Sequence, residues 1–161
     1  MILRNWHYIL LALSIFSLSI ALVAEYLYDL QPCELCLKQR HPYYFFIIII
    51  LVIFFIPYIY KFFMFCLIQL STVYGIFFSI WHVGVENKLL KGPSGCSSSL
   101  SISSDISALK EQILSKQVIS CDEVIWSFFG ISAATINTLL LLFIFVTNGL
   151  YIYKNYGKKE K

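Results

Sequence analysis

The sequence predicts an all-α membrane protein, a four-transmembrane-helix bundle with two outer cysteine-bearing loops. Three observations lead there. Of 161 residues, 59% are hydrophobic and only 13% charged, against about 25% charged in an ordinary soluble domain. The apolar residues gather into four runs, 7–27, 43–60, 62–82 and 126–153, each near the roughly 20 residues that a helix needs to cross a bilayer. Tyr and Trp collect at the run ends, among them Trp6, Tyr43, Tyr58, Trp81, Trp126 and Tyr153, where amphipathic rings favour the membrane interface. The length fits a single membrane domain over 1–161, and a net charge of +3 dispersed along the chain gives no basis for nucleic-acid binding.

Run one follows Arg4 and has the position of a secretory signal. Its apolar stretch is too long for one, and the small residues near Ala24 make a poor cleavage site, so it is read as a retained span. Run two has Pro57 near its end and leads almost directly into run three; one continuous helix would be close to twice the bilayer thickness, so Pro57 to Lys61 is expected to turn tightly and pair the two as a hairpin. Run four, 126–153, leads into a basic tail.

Four spans put both termini on one side with the turn at Lys61. Loops 28–42 and 83–125 then share the other side. Arg4, Lys61, Lys154, Lys158, Lys159 and Lys161 fall with the termini, and Lys38, Arg40, Lys88, Lys91, Lys110 and Lys116 with the loops, so a raw count does not choose. The first group lies in short segments beside span ends, where positive charge controls orientation, which places both termini in the cytoplasm. Cys33, Cys36, Cys96 and Cys121 then lie on the outer, oxidising side, and Cys66 lies within a span, where it reads as a small buried hydrophobe.

In the longer loop, Gly92, Pro93 and Gly95 turn the chain before Cys96, and residues 97–104 hold six serines, a composition that favours flexibility. Beyond it Ile106, Leu109 and Ile113 have helical spacing, with Ser104 or Asp105 available as a cap. A short amphipathic helix on the membrane surface and one packed on its own loop fit this pattern equally.

The four outer cysteines admit three readings. Zinc held by four thiolates usually shows two close pairs, whereas 24 residues separate Cys96 from Cys121, so no metal centre is expected. A bridge closing the 96–121 loop would contribute roughly 3 kcal/mol by restricting the unfolded chain, reason enough for a structural disulfide there. Across Cys33 and Cys36 the closed loop is too short for that argument, while C-x-x-C spacing suits reversible oxidation, one sulfur attacking and the other resolving. The first pair therefore reads as redox-active, and the second is left open.

Arg40, four residues after Cys36, falls on the same face one turn later if the helix starts near that cysteine. Its charge suits a thiolate or an anionic acceptor, and it suits interfacial anchoring equally well. Glu34, between the cysteines, disfavours a thiolate. His82, at the outer end of span three, is a candidate donor to a bound cofactor; a lone interfacial histidine is more often simply solvated.

PCELC followed by Arg40, then GPSGC, then CDEVIWSFFGIS leading into a last span, resembles the bacterial disulfide bond formation protein B family, DsbB, including its DsbI branch, over nearly the whole chain. The resemblance implies an inner-membrane thiol:quinone oxidoreductase, with its cysteine loops in the periplasm, that reoxidises a DsbA-type thioredoxin-fold oxidase. It passes the electrons to ubiquinone or menaquinone and so to the respiratory chain. By motif, Cys96 would form the mixed disulfide with DsbA and Cys121 would be its partner. Cys33 would exchange with that pair, Cys36 would deliver electrons to the quinone, and Arg40 would lie beside the quinone head, with His82 nearby but one residue out of register. DsbA sits near about −120 mV and a thioredoxin-type dithiol near about −270 mV, so an ordinary pair would oxidise DsbA uphill by roughly 7 kcal/mol; a strongly oxidising membrane acceptor removes that obstacle.

Two alternatives come from other classes. A four-span structural protein stapled by disulfides, somewhat like a tetraspanin, predicts unreactive bridges, although the adjacent cysteine pair of that family is missing from the large loop. A vitamin K epoxide reductase-like enzyme shares four helices and a C-x-x-C, but carries the motif at the start of its last core helix, whereas here it follows span one.

Overall fold

The computed structural model describes residues 2–93, 121, 124, 127, 128 and 130–157. Cys96, the serine stretch and the expected helix near 105–116 lie outside them. Among the described residues a short 3-10 turn, Ile2–Asn5, leads into α1, Trp6–Tyr26; α2 is Glu34–Phe55, α3 is Tyr58–Glu86 and α4 is Ala133–Tyr156. All four helices are long and apolar enough to cross a membrane. At about 1.5 Å per residue they run to roughly 32 Å or more, against a hydrocarbon core of about 30 Å.

Several boundaries differ from the sequence expectation, the two largest shifts each for a local reason. The second helix starts at Glu34 rather than near 43, because Cys33 caps it: its backbone is extended (φ −72°, ψ 169°) and its sulfur accepts the Cys36 amide N–H. Most of the expected loop 28–42 is therefore helix. Pro42 lies inside α2, where it removes one ladder bond without ending the helix. The fourth helix starts at Ala133 rather than 126, because Ser127–Phe128 and Ile131–Ser132 form a small antiparallel hairpin turned at Gly130, whose φ of +79° favours glycine. Ser132 then caps α4, its hydroxyl accepting the Thr135 N–H at 3.2 Å. The turn between α2 and α3 is only Ile56 and Pro57, earlier and shorter than the expected Pro57 to Lys61, so that residues 58–61 are the first turn of α3.

α3 packs along both α2 and α4, and α1 lies mainly against α2. Trp6 of α1 donates through Nε1 to Asn148 Oδ1 of α4 at 3.1 Å, and Asn148 Nδ2 reaches the Phe65 carbonyl of α3 at 3.1 Å. These bonds tie the N-terminus, the α2–α3 turn and the C-terminus to one end of the bundle. Trp6, expected as an interfacial anchor, is fully buried for this purpose. Cysteines 33 and 36 lie at the opposite end.

Polar and apolar sides are arranged for lipid. Large apolar side chains such as Phe16, Phe55, Phe63, Leu70, Phe77 and Val146 face outward, while Ser14, Thr72, Ser79 and Asn148 are buried between helices. Lipid is as apolar as leucine, so close packing and interhelical hydrogen bonds hold such a bundle rather than apolar burial. Gly75 lies where α2, α3 and α4 meet: a Cβ there would meet Pro42 Cγ at 2.8 Å and Leu141 Cδ1 at 3.1 Å. Gly75→Val is expected to overpack this three-helix contact and cost about 1–3 kcal/mol, read as a lower thermal unfolding midpoint in detergent. The same change at Gly130, with nothing within 4 Å, would act through the turn alone.

Candidate functional site

The N-terminus of α2 places Cys33 as the capping residue and Cys36 one turn inside. Their sulfurs are 3.1 Å apart, and the Cys36 amide N–H points at the Cys33 sulfur at 3.3 Å. Cys33 is 3% exposed, packed with Leu35, Val85 and Cys121 and flanked by Cys36, Phe78 and Trp81. Cys121 is fully buried and disulfide-bonded, so the tertiary structure brings a disulfide sulfur into the cluster that holds the free thiols. The remaining expected cysteine, Cys96, is outside the described residues. Cys66 lies in α3 next to Phe65, toward the far end of the bundle.

Cys33 is held well below the ordinary thiol range, to about 4. The chief cause is the hydrogen bond from the Cys36 thiol. Burial opposes it, and the bond to His82 and the Cys36 backbone N–H add to the lowering. The helix N-terminus acts in the same direction. Glu34, expected to oppose a thiolate, is paired with Lys38 at 2.6 Å, and Lys38 also lies over the Phe78 ring at 5.4 Å.

His82 corrects the solvated reading of a lone interfacial histidine. It is 4% exposed, and its Nε2 lies 3.6 Å from Cys33 Sγ. A chain of polar side chains holds the ring: Tyr43 donates to Asn137 Oδ1 at 2.5 Å, Asn137 Nδ2 donates to Gln39 Oε1 at 2.9 Å, and the Gln39 amide nitrogen faces His82 Nδ1 at 2.9 Å. In that polarity Gln39 donates to Nδ1 and the ring proton is on Nε2, toward sulfur. On the other side of the ring, Glu86 Oε1 is 3.9 Å from Nε2, and Glu86 Oε2 accepts from the Ser132 hydroxyl at 2.6 Å.

Arg40 is one turn beyond Cys36, but its guanidinium turns toward α1, pairing with Glu25 and donating through Nη2 to the Ala21 carbonyl at 3.3 Å. Sequence reasoning missed Glu25, Gln39, Asn137 and Glu86. The available signal was their character: ionisable or amide side chains in or beside apolar runs are costly unless partnered. With side chains only 13% and 19% exposed, the Arg40–Glu25 pair is sheltered. Glu25→Gln, which strands the guanidinium charge, is expected to destabilise the protein by up to about 3 kcal/mol, seen as a fall in the detergent unfolding midpoint that Arg40→Gln combined with Glu25→Gln partly restores.

No solved structure matches this chain. A protein of Rickettsia prowazekii (strain Madrid E), named only as uncharacterized, is 30% identical over 155 residues, covering 95% of this chain and 88% of its own length. The family model of the disulfide bond formation protein DsbB matches residues 3–151. That match runs through every described helix and both cysteine-bearing regions, and the free thiols packed against a disulfide-bonded cysteine at one end of four membrane-spanning helices suit its chemistry; the chain belongs to the DsbB family and is a multi-pass membrane oxidoreductase of disulfide bond formation.

Proposed function

We propose that this protein reoxidises a periplasmic DsbA-type thioredoxin-fold oxidase and sends the two electrons to a membrane quinone through two cysteine pairs, from the bacterial inner membrane with both termini in the cytoplasm. The observation that carries this reading is the pair Cys33–Cys36, sulfurs 3.1 Å apart at a helix start and buried in one cluster with disulfide-bonded Cys121.

The steps balance as thiol–disulfide exchange. Reduced DsbA attacks the disulfide of Cys96 and Cys121, forms a mixed disulfide on Cys96, and leaves oxidised as its second thiol closes the DsbA disulfide and releases the loop dithiol. The resulting loop dithiol then reduces a Cys33–Cys36 disulfide: one loop thiolate attacks the Cys33 sulfur and releases the Cys36 thiolate, and the second loop thiolate closes the loop disulfide and releases Cys33. Cys36, inside the membrane-facing turn, passes on two electrons as the Cys33–Cys36 bond re-forms, and two protons leave with them. Ubiquinone or menaquinone, when bound, supplies the electron acceptor. The donor set fits a quinone carbonyl: Arg40 lies one turn from Cys36, and its guanidinium carries more N–H donors than its contacts to Glu25 and Ala21 use. His82 holds Cys33 from the other side.

Stabilising the Cys33 thiolate stabilises the reduced pair, and a pair so stabilised is a stronger oxidant. That is the direction needed to lessen the uphill step toward DsbA. The test is purified protein mixed with reduced DsbA and a soluble quinone, following quinone absorbance together with DsbA thiols. Loss of two DsbA thiols for each quinone reduced supports the reading. DsbA that stays reduced while the four outer cysteines are shown to be oxidised at the start would overturn it, in favour of structural bridges.

A further inference from the structure

We propose that the reduced form of the protein has a zinc site made of Cys33 Sγ, Cys36 Sγ and His82 Nε2. These three ligand atoms, from the start of α2 and the end of α3, all lie within 4.8 Å of one another. Tetrahedral zinc with Zn–S of about 2.3 Å and Zn–N of about 2.0 Å separates its ligand atoms by roughly 3.5–3.8 Å. Cys33 Sγ and His82 Nε2 are already 3.6 Å apart. The two sulfurs, at 3.1 Å, have to open by about 0.7 Å, a side-chain adjustment within reach of Cys36, the more exposed of the two.

Charge favours the complex at this depth. Two thiolates and a neutral imidazole on a divalent ion leave no net charge, so the ion enters a buried cluster without the cost of an isolated charge. Thiolate and imidazole ligands select zinc over the hard cations of oxygen sites. A ligating histidine normally donates its other ring N–H to a fixed acceptor, and Gln39 stands 2.9 Å from Nδ1. Ligation through Nε2 requires the proton on Nδ1, so Gln39 turns its carbonyl oxygen to the ring, and the Asn137 amide, 2.9 Å away, reverses with it. Three protein ligands leave one position open, and Glu86, 3.9 Å from Nε2, borders the site.

Binding displaces thiol protons and forms two Zn–S bonds without any change of oxidation state. The oxidised pair has no thiolates and cannot bind. While zinc is held, neither sulfur can enter a disulfide, so the ion is a reversible brake on the exchange chemistry; only this consequence rests on the function proposed above.

The test uses the full chain in detergent with Cys96→Ala and Cys121→Ala, which leave the site and Cys66 as its only thiols. Cobalt(II) serves as the spectroscopic probe and zinc(II) as its competitor. The reduced chain is expected to bind one cobalt with thiolate-to-cobalt charge-transfer absorption and the intense ligand-field bands of a tetrahedral site, bleached by one zinc. The same chain in its oxidised form should show neither signal, a control that involves no further substitution. Cys36→Ser should abolish the charge-transfer band, Gln39→Leu should weaken binding about 10–100-fold, and Cys66→Ser should leave it unchanged. If the double substitution prevents folding, wild type is titrated with its loop disulfide intact after selective reduction of the Cys33–Cys36 pair. Absence of the band in the reduced chain, or a band that persists in the oxidised chain or in Cys36→Ser, overturns the proposal. Zinc binding without quinone-linked turnover leaves this site standing and removes the proposed function; turnover without zinc binding does the reverse.

Discussion

Cys36→Ser is expected to lower DsbA-dependent quinone reduction by a factor on the order of 10³ or more, as loss of a reacting group that works as part of a unit does, while the four helices stay folded. Cys36 stands one turn inside α2 with its sulfur 3.1 Å from that of Cys33, so it alone can resolve a disulfide formed on Cys33 from within the same helix. Serine keeps the size and the hydrogen-bonding capacity of the thiol but cannot form the sulfur–sulfur bond. The variant cannot form the Cys33–Cys36 disulfide that the loop dithiol would reduce, so only the one oxidising equivalent of its loop disulfide should pass to reduced DsbA, seen by thiol trapping as at most one DsbA disulfide formed per protein with no quinone reduced. Turnover at the wild-type rate would show that electrons leave the protein by another route.

Alkylation of Cys33 in the reduced protein is expected to proceed at a nearly constant rate between pH 6 and pH 8, where an ordinary thiol, with its value near about 8.5, speeds up roughly a hundredfold. The reason is that the hydrogen bonds from Cys36 and His82 hold Cys33 at about 4, so it is already a thiolate across that range. The sign for stability follows from proton counting. Because the folded value lies below the unfolded one, the folded reduced protein binds fewer protons between about 4 and about 8.5, and its stabilisation from this thiolate is complete above the unfolded value and fades as pH falls toward the folded one. The Cys33–Cys36 couple then takes up one proton rather than two on reduction in this window. Its midpoint potential should change by about 30 mV per pH unit, half the roughly 59 mV of a two-proton couple, as measured by equilibration in glutathione buffers followed by thiol trapping. Replacing His82 with phenylalanine should steepen that slope and lift the lower edge of the alkylation plateau, a change that loss of packing alone would not produce.

The apolar runs made the four helices legible, because crossing a bilayer demands long stretches of hydrophobic residues whatever their neighbours are. Boundaries were less legible where a local device overrode polarity. Lys38, Gln39, Arg40 and His41 read as loop, yet α2 passes through all four, since the Cys33 cap, the Glu34–Lys38 pair and tertiary partners for Gln39 and Arg40 supply what water would otherwise provide. The aromatic stretch at 126–132 read as the start of a span, and the turn at Gly130 and the Ser132 cap moved that start to Ala133.

By itself, then, the sequence determined that this is a four-span membrane protein with a C-x-x-C pair at Cys33 and Cys36, because hydropathy and C-x-x-C spacing are local properties of the chain. Only the tertiary structure decided what surrounds that pair. His82 is 49 residues from Cys33 in sequence and 3.6 Å away in space, Asn137 reaches Gln39 across 98 residues, and Arg40 turns to Glu25 rather than to Cys36. In a bundle, each buried polar group must take its partner from whichever helix packs beside it, and no local spacing rule specifies which helix that is.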